Sequence, residues 1–242
     1  MRIVLQNEDY IIIDKPAGLA VHAGININEP TLVDFLLCQF PEIGNVGDAL
    51  PRTFHEGDSA RDMRIRPGIV HRLDKETSGV MVIARNQKTF EHLKSLFKNR
   101  QIEKKYLALV HGKLKTKTGK IEGEMGRSKR DFRKQSLVRG KISVRKERYS
   151  LTCYKVMEEI GDYSLLEVLP KTGRMHQIRV HLHSIGHPIV GDEKYTFKKY
   201  KKERHSRMFL HASEISFIDR EGKRAKFSSP PSKEMTEYPR RG

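Results

Sequence analysis

The chain has 242 residues, no Trp, two Cys, and 47 Lys+Arg against 30 Asp+Glu, a formal net charge of +17. That length supports a sizeable core, no apolar run approaches the roughly 20 residues of a membrane helix, and Met1-Arg2-Ile3-Val4 leads to Glu8-Asp9 without a signal-peptide stretch. Cys38 and Cys153 share no ligand spacing, which argues against a disulfide framework or a zinc site, and the expected setting is cytoplasmic with no membrane.

The opening reads as two strands, over residues 2–5 and 10–14, around a turn at Asn7-Glu8-Asp9. Lys15-Pro16-Ala17-Gly18 then demands a loop. Residues 30–40 predict a helix with Thr31 as N-cap and Leu32, Phe35 and Leu36 on one face. Residues 41–68, rich in Pro, Gly and charge, read as a long surface segment, a lid by its composition. Residues 79–84 form a buried-strand run, and Asn86 is placed to cap a helix presenting Phe90, Leu93 and Phe97. Short strands follow at 104–111, 120–125, 149–157 and 164–170, then a helix within 172–184 with Ile178 and Leu182 four apart. Residues 209–211 and 215–217 close the chain as strands. The many strands without regular strand–helix alternation predict an α+β fold, with a mixed, largely antiparallel central sheet and flanking helices and loops. Without repeats or a low-complexity linker, residues 1–242 are expected to form a single domain.

Charge is unevenly placed. Residues 98–148 hold 18 basic and 5 acidic side chains, and residues 194–207 hold 7 and 1. Two such segments are the footprint of a polyanion partner, because each cation near a phosphate releases counterions. Neither carries the apolar face that a membrane surface requires. Nucleic acid is the favoured partner over a merely soluble basic surface.

Two segments carry candidate chemistry. In His71-Arg72-Leu73-Asp74, a carboxylate lies between cations just ahead of an apolar strand. A surface ion pair explains it equally well from local sequence alone. In Lys171-Thr172-Gly173-Arg174-Met175-His176-Gln177-Ile178-Arg179, His176 and Arg179 are spaced to share a helical face, and Gly173-Arg174 suits close approach to phosphate or base. His176, His181, His183 and His187 have no Cys or carboxylate at a zinc spacing, so no metal is expected. No phosphate-cradling glycine loop or dinucleotide fingerprint implies a cofactor.

Taken together, Lys15-Pro16-Ala17-Gly18 with Val21-His22, His71-Arg72-Leu73-Asp74 with Thr77-Ser78-Gly79, and Gly173-Arg174 through Asp192 resemble the RluA family of RNA pseudouridine synthases. The likeness runs from about residue 2 to Pro231. It implies the pseudouridine synthase fold and isomerisation of specific uridines in ribosomal or transfer RNA. The base is flipped out, its glycosidic bond is cleaved, and it is rejoined through C5. Asp74 matches the family's catalytic aspartate, which either attacks C1′ or removes a C2′ proton. Arg179 matches the arginine paired with it, and Tyr106 the tyrosine that stacks on the base and is proposed to take the C5 proton. Leu182 matches a residue lining the uracil pocket, and Arg72 the arginine that fills the flipped nucleotide's place. His71, Arg174 and His176 complete the expected substrate contacts. Residues 113–148 are expected to form a basic RNA-gripping hairpin, with Phe132 among Lys129, Arg130 and Arg133, while Lys198 and Lys199 add backbone contacts. An S4-type RNA-binding domain, carried by some relatives, is not expected here, and the active form is expected to be a monomer. The alternatives are a non-catalytic RNA-binding module on the same fold, and a glycosidase using Asp74 and Glu76. The second is disfavoured because glycosidase carboxylates flank the bond from two sides.

Overall fold

The computed structural model describes residues 1–23, 29–48, 66–129, 131, 133–138, 144–203 and 205–237. It is α+β, with few helices and every registered strand pair antiparallel. The chain divides into two compact units, Met1–Ile102 with Ile215–Ser229, and Glu103–Glu214 with Pro230–Gly242.

In the first unit β1 (Arg2–Gln6), β2 (Tyr10–Lys15) and β3 (Ser78–Ala84) lie side by side, Ile12 opposite Val82 and Ile13 opposite Met81. All of β3 is buried, as is β2 apart from Asp14, and covering on both faces explains their near-continuous apolar runs. Helix α1 (Leu32–Gln39) starts where the Thr31 amide and hydroxyl both donate to the Asp34 carboxylate, at 2.7 and 2.8 Å. It buries Leu32, Val33 and Leu36 and leaves Phe35 exposed. At about 100° per residue, position 35 falls roughly a quarter turn off that face, so the expected Phe35 contact gives way to Val33. A 3₁₀ turn occupies Pro41–Asn45, and residues 49–65 of the expected surface segment lie outside the described residues. Helix α2 (Gln87–Lys98) is capped by Asn86, whose side chain accepts from the Thr89 amide at 2.9 Å, and it packs Phe90, Leu93 and Leu96 into the core with Val80, Val82 and Phe217. Gly68, at φ +68°, sits where a Cβ would lie 2.5 Å from the Ala84 carbonyl, so this turn needs glycine.

In the second unit the strand order is β4 (Glu103–His111), β8 (Tyr163–Pro170), β7 (Val144–Ile160), β5 (Thr118–Ser128) and β6 (Gln135–Leu137). Helix α3 (Gln177–Ser184) packs Ile178 and Leu182 onto Ala108, Val110, Leu166 and Val168. Strand β9 (Leu210–Ile218) is one strand where the sequence reads two, and its residues divide between the units. Beside it pairs β10 (Arg224–Ser228). A short helix, α4 (Lys233–Glu237), plugs Met235 against Leu109, Val190 and Phe209. Among the described residues no helix is long and apolar enough to cross a membrane.

Candidate active site

Asp74 lies in the first unit, half-buried, in a turn closed by the Thr77 amide donating to the Asp74 carbonyl at 3.1 Å. The all-buried β3 begins four residues later, which gives the turn a rigid base. Its other anchor is a lysine that local sequence does not reveal. Lys15 is fully buried, and its ammonium donates to the carbonyls of Pro16, Leu19 and Lys75 at 2.8, 2.8 and 3.0 Å. The Gly18 amide donates to the same Lys75 carbonyl at 2.9 Å. The loop after β2 and the Asp74 turn are thus joined through one buried cation. Lys15→Met removes the shared donor, and hydrogen bonds to charged groups contribute about 1.5–3 kcal/mol each. We expect a loss of stability of about 2–4 kcal/mol with a fall in turnover, measured by thermal unfolding and single-turnover kinetics.

The neighbouring candidates divide by role. His71 accepts from the Val82 amide at 3.1 Å through Nε2 and stacks on Phe97 at 4.6 Å, which fixes its ring to β3 and α2. Arg72 is exposed, and its Nη1 donates to His22 Nε2 at 2.9 Å.

In the second unit Tyr106 stands on β4 opposite Val168, half-buried against the cluster that holds Ile178 and the fully buried Leu182. Lys104, two residues earlier on that strand, is held below the usual lysine range by burial. Arg179 is buried, and its Nε and Nη2 donate to the two carboxylate oxygens of Asp192 at 2.7 and 2.9 Å. Asp192 also accepts from the amides of Lys194 and Tyr195, each at 2.9 Å, and the guanidinium stacks 5.1 Å from the Tyr195 ring centre. Asp192 and Tyr195 hold Arg179 in place; the sequence motif includes Asp192 without assigning it this contact, and does not single out Tyr195.

The start of α3 explains how the segment is aimed. Gln177 uses both ends of its amide: Oε1 accepts from the Thr172 hydroxyl and the Arg174 amide, and Nε2 donates to the Leu151 carbonyl and the Thr152 hydroxyl. His176 precedes the helix in a left-handed conformation (φ 57°), so helical spacing does not put it on a face with Arg179. Its Nδ1 lies 2.8 Å from the Tyr195 hydroxyl instead. The remaining histidines of this stretch are engaged separately. His181 Nε2 is 2.9 Å from the Ser150 hydroxyl, His183 stacks on Phe197, and His187 Nδ1 is 2.9 Å from the His111 carbonyl oxygen.

A cleft of about 460 Å³ opens in this unit, lined by Arg127, Arg145, Lys146, Arg148 and Arg174 with Met125 and Met175. Arg174 is steadied by donating from Nε to the Tyr149 carbonyl at 3.0 Å. Outside the cleft, Lys129, Lys198 and Lys199 are exposed. Arg133 is exposed but two-pronged on Asp131, at 3.0 and 3.3 Å, and this partner holds the Asp131 carboxyl below its ordinary range. Arg130 and Phe132 lie outside the described residues.

A family model described as RNA pseudouridylate synthase matches residues 9–184. "Ribosomal large subunit pseudouridine synthase D" of Borreliella burgdorferi is 40% identical over 195 residues, covering 80% of this chain and 54% of that protein. The uncharacterized RNA pseudouridine synthase YlyB of Bacillus subtilis is 32% identical over 237 residues, covering 97% of this chain and 70% of its own length. Among solved structures, human RNA pseudouridylate synthase domain containing 1 aligns with a TM-score of 0.73 at 27% identity, over 94% of this chain and 82% of that one. The chain spans between 54% and 61% of the length of the first four curated relatives.

Proposed function

The chain belongs to the RNA pseudouridylate synthase family, and from that premise we propose that it converts uridine in folded RNA to pseudouridine. The observation that carries the reading is Asp74 itself, a half-buried carboxylate on a turn pinned by Lys15 and β3, inside the stretch that the family matches. In this reading Asp74 acts on the ribose of a flipped nucleotide, either at C1′ or on the C2′ proton. Tyr106 and Leu182 hold the uracil, and Tyr106 takes the C5 proton after reattachment. Arg179 supplies a fixed positive charge to the reacting centre, where a planar guanidinium cannot be replaced by lysine. Arg72 occupies the place the base vacates, since C1′ and C5 are not both accessible in a stacked helix. Large-subunit ribosomal RNA is the substrate to test first, because the Borreliella relative carries that name; transfer RNA is the second. The protein acts as a monomer in the cytoplasm and uses no cofactor for this chemistry.

The experiment is tritium release from C5-labelled uridine in large-subunit ribosomal and transfer RNA transcripts, with free uracil assayed in parallel. Release without free uracil supports the isomerase. Free uracil would indicate a hydrolase, and tight binding without release a non-catalytic module.

The RNA path is proposed to run along the basic cleft. Changing Arg127, Arg145 and Arg148 together to Gln is expected to flatten the dependence of log affinity on log salt by about 2–3, at roughly 0.7–0.9 per lost phosphate contact. The same experiment on Lys129, Arg130 and Arg133 is expected to flatten it less, because Arg133 is already engaged by Asp131. Filter binding over a salt series measures both.

A further inference from the structure

Strand β4 ends at His111, whose backbone is fixed on both sides. Its amide donates to the Pro188 carbonyl at 3.0 Å, and its own carbonyl lies 2.9 Å from His187 Nδ1. The buried ring stacks on Tyr200 at 3.8 Å and 13°, with Tyr163 at 5.6 Å. The lysine-rich segment that follows Tyr200 returns toward this ring with Glu203 and His205. The His205 side chain is only 4% exposed and packs its edge toward Phe209. One Glu203 oxygen, Oε2, lies 3.3 Å from His205 Nε2 and 3.9 Å from His111 Nδ1. The three donor atoms all lie within 4.8 Å of one another, and they form the only such group among the described residues.

We propose that His111, Glu203 and His205 bind a divalent transition-metal ion, Zn²⁺ by the chemistry of the donors, which ties the segment around Lys198–Lys202 to the end of β4. An ion with ligands at about 2.0–2.2 Å in tetrahedral array sets its donors roughly 3.3–3.5 Å apart. Of the three separations, His205 to Glu203 already has that value at 3.3 Å, His111 to Glu203 at 3.9 Å closes with a shift of a few tenths of an ångström, and His111 to His205 lies within 4.8 Å. Two imidazoles and one carboxylate suit a borderline ion such as Zn²⁺, whereas Mg²⁺ and Ca²⁺ take oxygen donors. The site has no part in the isomerisation chemistry. It is a clip between residues 92 positions apart (111 and 203), and three protein ligands leave one coordination position for water.

The test uses the full chain after chelator treatment, titrated with Zn²⁺ by calorimetry and with Co²⁺ by its visible d–d absorption. The native protein is expected to bind one equivalent with a dissociation constant of about 10 μM or tighter, and Zn²⁺ is expected to raise its unfolding midpoint. Glu203→Gln and His205→Asn should each weaken binding more than tenfold and lose both the Co²⁺ band and the thermal shift. Glu203 is one-third exposed, so its Gln variant keeps the fold and decides the question even if His205→Asn does not fold. Binding weaker than about 100 μM in the native protein, or binding unchanged in Glu203→Gln, overturns the proposal.

Discussion

Replacing Asp74 with Ala is expected to abolish tritium release from C5-labelled RNA while leaving RNA affinity within about twofold, because the side chain supplies chemistry and little of the binding energy. Removing a group that forms or breaks the covalent bond typically costs about 10⁴-fold or more in turnover. The prediction is sharpened by the setting. The turn around Asp74 is held by the Thr77 amide, by Lys15 through the Lys75 carbonyl, and by the buried β3. A side-chain truncation there leaves the backbone in place, so lost activity is not lost structure. Asp74→Asn, which keeps the shape and removes the charge, should be as inactive as Asp74→Ala, and circular dichroism of both should match the native protein. Release retained within tenfold by either variant would remove Asp74 from the mechanism.

The turn ahead of β3 was legible and the contact between Arg179 and Asp192 was not, a matter of distance along the chain. The Asp74 turn, the apolar run of β3, the Asn86 cap and the Ile178–Leu182 pair are all local patterns, with every determinant within a few residues. Tyr106 lies on β4, half-buried against the cluster that holds Leu182. The Lys15 contact spans 60 residues, and local sequence offers only a lysine before a proline. Spacing misplaced His176, because one left-handed residue ahead of α3 breaks the periodicity on which the shared face depended. The short β6 lacks enough residues to show alternation, and β9 carries polar positions in its middle that read as a break. The trio His111, Glu203 and His205 is assembled only when the segment after Tyr200 returns to the end of β4.

Arg179 poses the second large effect. A guanidinium this buried is tolerable only with its charge matched and its N–H groups satisfied, and Asp192 takes the Nε and Nη2 donors from a position itself fixed by two backbone amides. Asp192→Ala removes a two-pronged partner of a buried cation, at an expected cost of about 3–5 kcal/mol, or a midpoint roughly 6–20 °C lower for a chain of this size. The functional loss should be separable from the stability loss. At a temperature where the variant is folded, kcat/KM is expected to fall about 10²-fold, because the guanidinium proposed to act on the reacting charge loses its alignment and small misplacements cost that much. Arg179→Met combined with Asp192→Leu should recover most of the stability, since replacing both members of a buried ion pair with apolar groups of similar volume is often neutral, yet it should remain inactive. Recovery of stability without activity assigns the pair to positioning for catalysis. If Asp192→Ala instead unfolds at the native midpoint and turns over normally, the carboxylate is not what holds Arg179 in place.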